Sequence, residues 1–210
     1  NGVTYTRNTN ESGIASMNIN LYPGFFEVSA NYNKTTVNSS INITSSIFGN
    51  NIVKIYQNGT QFFATFYGKD GKTLANGTNV TFNINGVFYV REVTNGTAKL
   101  NINLNPGKYI ITTIYEGYAV GNNVTVNSTL ITKDLSMNYK DGSTFNATVL
   151  DGQGNPLANQ TVTFNVNGVV YNKTSDENGI AKLNINLIAG KYIITSTWNG
   201  YQVGRTLTIA

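Results

Sequence analysis

An 83-residue period constrains this chain more than any other feature. Asn-Gly-Val-x-Tyr occurs at 1–5, 85–89 and 167–171, and Gly13, Gly96 and Gly179 are spaced 83 apart, as are Gly24, Gly107 and Gly190. Residues 95–127 and 178–210 share 20 of 33 positions, through Asn-Gly-x-Ala-Lys-Leu-Asn-Ile-Asn-Leu, Gly-Lys-Tyr-Ile-Ile-Thr and Gly-Tyr-x-Val-Gly. The 210 residues divide into the C-terminal half of a module (1–44) and two complete modules (45–127 and 128–210).

Within each repeat the apolar residues alternate. Val80, Phe82 and Ile84 interleave with Thr81, Asn83 and Asn85, and Leu100, Ile102 and Leu104 with Lys99, Asn101 and Asn103. Leu183, Ile185 and Leu187 repeat the pattern, as do Met17, Ile19 and Leu21. A period of two gives strands with one buried and one wet face. Asn-Gly at 85–86 and 167–168 stands between two such runs, where a two-residue hairpin needs positive φ. The spacing predicts seven strands in the last module, near 134–139, 143–150, 160–166, 169–174, 180–187, 191–198 and 203–209. The expected fold is all-β: tandem immunoglobulin-like sandwiches of about seven antiparallel strands each.

Composition narrows the chemistry. With no Cys and no His, the chain has no disulfide, no Cys/His zinc site and no Ser–His pair. Charged residues are 11% of the chain against roughly 25% in an average protein, and the net charge of +4 is spread along it. No nucleic-acid partner and no membrane span are expected, and no signal peptide opens the chain. Polarity comes instead from 34 Asn and 27 Thr.

No carboxylate recurs in all three copies: Glu11 and Glu177 align, but Thr94 takes that place in the middle one. Catalysis is therefore not expected, and no cofactor or metal is assigned. Asp141-Gly and Asp151-Gly-Gln-Gly-Asn supply too few carboxylates for calcium and read as turns. A Lys–Asn isopeptide would need a buried acid beside Lys54, which aligns with Met137, and none lies on a core-facing position. Tyr109 and Tyr192 are expected to anchor a turn through their hydroxyls, Tyr118 and Tyr201 to cap the sandwich end, and Trp198, Tyr115 and Tyr32 to pack in the core.

The Asn-x-Ser/Thr triplet is enriched. It occurs at Asn10, Asn33, Asn38, Asn42, Asn58, Asn76, Asn79, Asn95, Asn123, Asn127, Asn146, Asn159 and Asn172. These 13 compare with roughly 6 expected from the Asn and Ser/Thr content, and mark N-linked glycan acceptors. Asn76 and Asn159, aligned beside a turn, lead the set.

Asp-Gly-Gln-Gly-Asn-Pro-Leu-Ala-Asn-Gln-Thr-Val-Thr-Phe (151–164), Asp-Glu-Asn-Gly-Ile-Ala (176–181), Ala-Gly-Lys-Tyr (189–192) and Trp-Asn-Gly-Tyr (198–201) resemble the bacterial-Ig-like repeats of adhesin-like surface proteins of methanogenic archaea. More distantly they resemble the repeats of invasin-type adhesins. The middle copy departs at Gly-Lys-Asp-Gly-Lys-Thr-Leu (68–74), which lacks the Pro found at 156, and has one extra residue near Asn79.

The resemblance implies an extracellular, cell-surface array: the stalk or filament of a glycosylated adhesin, whose partners are neighbouring Ig-like modules of the same or an identical chain. The alternatives are a module that binds a host or cell-surface carbohydrate, with the 66–79 edge as its variable loop, and a fibre subunit completed by strand donation. Segment 1–44 is 39 residues short of a module, so its Met17, Ile19 and Leu21 face is expected to be exposed. A slice of a longer array is the favoured account, since the last module is complete and has no surplus strand to donate.

Overall fold

The computed structural model describes residues 2–210; Asn1, which opens the first Asn-Gly-Val-x-Tyr copy, lies outside them. The described residues are all-β and form two tandem immunoglobulin-like sandwiches, preceded by a two-stranded hairpin. The hairpin pairs β1 (Gly24–Tyr32) with β2 (Thr35–Ile43).

The first sandwich contains β3 (Ile47–Gly49), β4 (Ile52–Ile55), β5 (Gln61–Phe66), β6 (Asn79–Ile84), β7 (Val87–Glu92), β8 (Thr97–Asn101), β9 (Gly107–Tyr115) and β10 (Tyr118–Asn127). One sheet has the order β3-β5-β8 and the other β4-β10-β9-β6-β7. The second sandwich repeats this with β11 (Leu130–Thr132), β12 (Leu135–Met137), β13 (Thr144–Val149), β14 (Thr161–Val166), β15 (Val169–Thr174), β16 (Ile180–Asn184), β17 (Gly190–Trp198) and β18 (Tyr201–Ile209). Its sheets run β11-β13-β16 and β12-β18-β17-β14-β15.

There are eight strands rather than seven: β12 falls within the strand expected near 134–139, and β11 (Leu130–Thr132) precedes it where none was expected. Residues 130–132 pair antiparallel with β13, whereas 135–137 cross to the other sheet and pair parallel with β18. The crossing is held from the last strand. Thr206 N donates to Asp134 Oδ1 (2.9 Å) and Arg205 Nε to Thr132 O (2.9 Å). The first sandwich does the same with Asn123 N to Asn51 Oδ1 (2.8 Å) and Asn122 Nδ2 to Gly49 O (2.9 Å). A Cβ at Gly49 would stand 2.6 Å from Asn122 Oδ1 and 2.8 Å from Phe62 Cζ, so both side chains would have to shift to admit one.

The alternation predicted from sequence fills two separate cores. Phe62, Phe66, Phe82, Leu100, Ile111 and Val124 are buried in one, and Phe145, Phe164, Leu183, Ile194 and Leu207 in the other. Each has an edge-to-face pair at its centre, Phe62–Phe82 (5.8 Å, 85°) and Phe145–Phe164 (5.9 Å, 87°), contributing roughly 0.5–1.5 kcal/mol beyond area burial. The Asn85-Gly86 and Asn167-Gly168 hairpins have positive φ at both residues, as expected. Asn33-Lys34, Glu116-Gly117 and Asn199-Gly200 make the same turn.

Three expectations are corrected. Residues 2–23 form no strand: the strands that pair with β7 and β8 in the first sandwich, β6 and β5, have no counterpart in 1–44, and an unpaired segment has no ladder to join. Of the face expected to be exposed, Ile19 and Leu21 are accordingly both 41% exposed, but Met17 is half-buried. The strand expected over 180–187 stops at Asn184, although Ile185 still turns inward. Trp198 and Tyr115 pack against their cores, but Tyr32 is 82% exposed, because no second sheet faces its hairpin.

Candidate functional site

Of the thirteen acceptor asparagines, twelve are exposed and only Asn58 is half-buried. Asn10 lies in the strandless segment, Asn33 at the first hairpin turn and Asn38 and Asn42 on β2. Asn79 opens β6, Asn95 stands in the β7–β8 turn, Asn123 and Asn127 are on β10, Asn146 on β13 and Asn172 on β15. Where these side chains bond the protein they do so through Oδ1. Asn76 accepts from Asn95 N (2.8 Å), Asn172 from Thr163 Oγ1 (2.8 Å) and Asn58 from Thr60 N (3.0 Å). Among the described residues none bonds Nδ2, the atom that carries an N-linked glycan, in any of the thirteen.

The leading pair is not equivalent in three dimensions. Leu74 N bonds Phe66 O just as Leu157 N bonds Val149 O, an offset of 83; but Gly77 N bonds Val93 O as Asn159 N bonds Ser175 O, an offset of 82. Gly77 and Asn159 share the left-handed backbone at φ 83° and 59°. Asn76 is therefore the extra residue of the first sandwich, inserted ahead of β6, and it caps the next turn through Asn95.

The ends of the sandwiches carry the second feature. The loop after β4 packs on the tip of the second sandwich, built from the β13–β14 loop and the β17–β18 turn. The Tyr56 and Tyr201 rings are 5.7 Å apart, and Asn199 Nδ2 donates to Gln57 Oε1 (2.8 Å). Gly152 and Gly154 face the first sandwich so closely that a Cβ would lie 3.2 Å from Asn58 Cβ and 3.2 Å from Ile55 Cδ1. Tyr201, predicted to cap a sandwich end, thus also contacts the preceding module, and Gly152 and Gly154, read from sequence only as turn residues, let the two loops meet without a Cβ that would push the facing loop back by a few tenths of an ångström. The tip of the first sandwich stands likewise against the leading segment, with Tyr118 and Tyr22 6.4 Å apart. A cleft of about 860 Å³ opens there, lined by Phe48, Tyr67, Lys69, Tyr115 and Glu116 among others.

Loop geometry behind the junction is fixed by unlike means. In the first sandwich Lys54 is 4% exposed and donates to the main-chain oxygens of Asn58 (2.7 Å), Ile102 (2.7 Å) and Thr60 (3.3 Å), and burial lowers its pKa. Among the described residues no carboxylate or side-chain amide bonds its Nζ. In the second sandwich Asp141 accepts from Asn138 N and Ser143 N (both 2.8 Å), and those bonds lower its pKa. Asp151 accepts from Gln153 N and Asn155 N, the turn role expected of it. Tyr109 and Tyr192 donate to the oxygens of Asn105 (2.8 Å) and Ile188 (2.9 Å), anchoring their turns. Among the described residues no three His, Cys, Asp or Glu side chains gather to hold a metal, and no helix is long and apolar enough to cross a membrane.

No family model and no curated protein matches the chain. Among solved structures it is similar to a chimeric titin Z1Z2 tandem, at 15% identity over 77% of this chain and 94% of that one, with a TM-score of 0.33. It is similar also to the D0-D1 domain of intimin, at 18% over 77% and 94% (TM-score 0.31). Against invasin, a bacterial integrin-binding protein, identity is 19% over 78% of this chain and 38% of that one (TM-score 0.35).

Proposed function

We propose that this chain is a spacer segment of a cell-surface protein, a stalk whose modules, 45–127 and 128–210, dock end to end and carry N-linked glycans on their wet faces. The junction carries the reading: a tilted tyrosine pair, an amide–amide bond and two close-packed glycines restrain one sandwich against the next, as a spacer needs and an isolated binder does not. The resemblance to adhesin-like repeats supports the surface location. Glycans at exposed acceptors such as Asn76 and Asn159 would hydrate a surface poor in charge and shield the open edge strands β7 and β15. Intact-mass measurement of the protein from its source tests the glycan part, with added hexose masses expected and a bare polypeptide mass refuting it.

A second reading has one observation of its own. The cleft beside Phe48, Tyr67, Tyr115 and Tyr118 presents the aromatic faces on which a sugar ring stacks, next to the loop that differs most between the copies. Titration of the chain with oligosaccharides, followed by shifts of those ring signals, separates an adhesive module from a plain spacer.

A further inference from the structure

We infer that Tyr139, Lys140 and Asp141, at the far end of the second sandwich, form a docking face for the tip of a further module of the 45–127 kind, through a Tyr139–Tyr118 ring contact and two ion pairs, Lys140–Glu116 and Asp141–Lys69. The inference rests on the end-to-end reading above and names the partner that such a junction selects.

The loop 138–142 repeats the loop that makes the observed junction. Tyr139 N bonds Ala210 O as Tyr56 N bonds Asn127 O, and Asp141 N bonds Asn138 O as Asn58 N bonds Ile55 O. Lys140 and Gln57 hold the same left-handed backbone, at φ 59° and 62°. Tyr56 is half-buried under Tyr201, whereas Tyr139 is 49% exposed, with the Lys140 ammonium 5.1 Å from its ring centre. The receiving tips match as well. Gly68 N bonds Lys72 O as Asp151 N bonds Asn155 O, so Lys69 occupies the place of Gly152. The Glu116-Gly117-Tyr118 turn occupies that of Asn199-Gly200-Tyr201.

Substituting one set into the other changes the chemistry in a complementary way. Gln57 against Asn199 becomes Lys140 against Glu116, and Asn58 against Gly152 becomes Asp141 against Lys69. Both neutral contacts turn into opposite-charge contacts, in the orientation that attracts. Lys69 and Glu116 pair with each other (3.2 Å) at an exposed site, where Glu116 also accepts from the Tyr115 hydroxyl (3.4 Å), and both charged ends are free to re-pair. The Cβ of Lys69 needs the facing loop to yield by a few tenths of an ångström, since a Cβ at Gly152 stands 3.2 Å from Asn58 Cβ. Joining the second sandwich to a tip like its own would instead set Lys140 against Asn199, without charge gain. The face therefore discriminates between module types.

The test extends the full chain after Ala210 with a second copy of 45–127. The native sequence has no Cys, so spin labels at Lys173→Cys and at Arg91→Cys of the appended copy, on equivalent edge strands, report one distance. The Arg91→Cys/Lys173→Cys pair within the unextended chain is the reference for the observed junction. A narrow distribution centred near the reference is expected, broadened by Lys140→Glu and narrowed again when Glu116→Lys is added in the appended copy. A broad distribution beside a narrow reference overturns the inference alone, as does a narrow one indifferent to Lys140→Glu. A distance that arises only between separate chains overturns it in favour of lateral assembly. A broad reference overturns the spacer reading itself.

Discussion

Lys54→Met isolates the energetics of the buried ammonium. Met137 holds the same position in the second sandwich at 6% exposure, so the replacement has a shape that this fold already accommodates. Burial of an ammonium without a counter-ion costs several kcal/mol in effective desolvation. Against this stand three hydrogen bonds. The Asn58 and Thr60 oxygens lie in a surface loop where water replaces the lysine, but the Ile102 oxygen sits in the core and would be left unpaired, at about 1–3 kcal/mol. The balance favours Lys54→Met by about 1–2 kcal/mol, whereas Lys54→Ala, which adds a cavity to the same orphaned oxygen, should lose about 2–4 kcal/mol.

Urea denaturation of the full chain resolves this, because Trp198 is the only Trp and reports the second sandwich alone, while far-ultraviolet circular dichroism reports both. The change should appear in the dichroism transition that Trp198 does not follow. The pH dependence supplies an independent sign. Burial lowers the folded-state pKa of Lys54 below the 10.5 of the free side chain, so the folded protein sheds this proton before the unfolded chain does. Wild-type stability then rises with pH through that interval, and the advantage of Lys54→Met shrinks as pH approaches 10.5. A Lys54→Met variant less stable than wild type by more than about 1 kcal/mol would mean that the three carbonyls outweigh desolvation, and would refute the reasoning.

Two further outcomes follow from the same coordinates. Thr113 and Ser196 are equivalent, fully buried and without a partner for their hydroxyls, so Thr113→Val and Ser196→Ala should each stabilise their sandwich by about 1 kcal/mol, read as a higher urea midpoint. Backbone N–H bonds hold the pKa of Asp141, Asp151 and Asp176 below the usual carboxylate value, and all three lie in the second sandwich. Stability from a depressed carboxylate is complete above the unfolded value of about 4 and lost as pH falls through the folded one, so the Trp198 transition should weaken in acid, and less so in Asp151→Asn.

What the sequence disclosed and what it concealed divide by the range of the interaction. Alternation and Asn-Gly turns are local, so the inward faces at Val80, Phe82, Ile84 and Leu183, and the hairpins at 85–86 and 167–168, read directly from the string. The break at 132–135 does not, because it is enforced by Arg205 and Thr206 more than 70 residues away. The 83-residue spacing aligns Asn76 with Asn159 and sets the inserted residue near Asn79. Only the ladder bonds of Gly77 and Asn159 show that the insertion is Asn76 itself. The junction was hidden for a different reason. Gly152 and Gly154 carry the signature of a turn, and a turn is what they form; their second role depends on the absence of a side chain where another module approaches. One signal was available in the string: Tyr56 and Tyr139 recur at the end of the first strand, and Tyr118 and Tyr201 at the last turn, at the two poles of each repeat.

The two ways of holding the junction loop bear on how such repeats diverge. In the first sandwich the loop is tied from inside, by a lysine that reaches the carbonyls of Asn58, Thr60 and Ile102. In the second it is tied from outside, by an aspartate that collects the N–H groups of Asn138 and Ser143, and the core position is released to Met137. The backbone is the same at Gln57 and Lys140, so the interface geometry survives while its surface chemistry changes from amide to charge. A repeat array that varies in this manner keeps its spacing constant and alters only which module follows which: Lys140 chooses the neighbour without bonding the loop, whereas Asp141 both ties the loop and faces the neighbour.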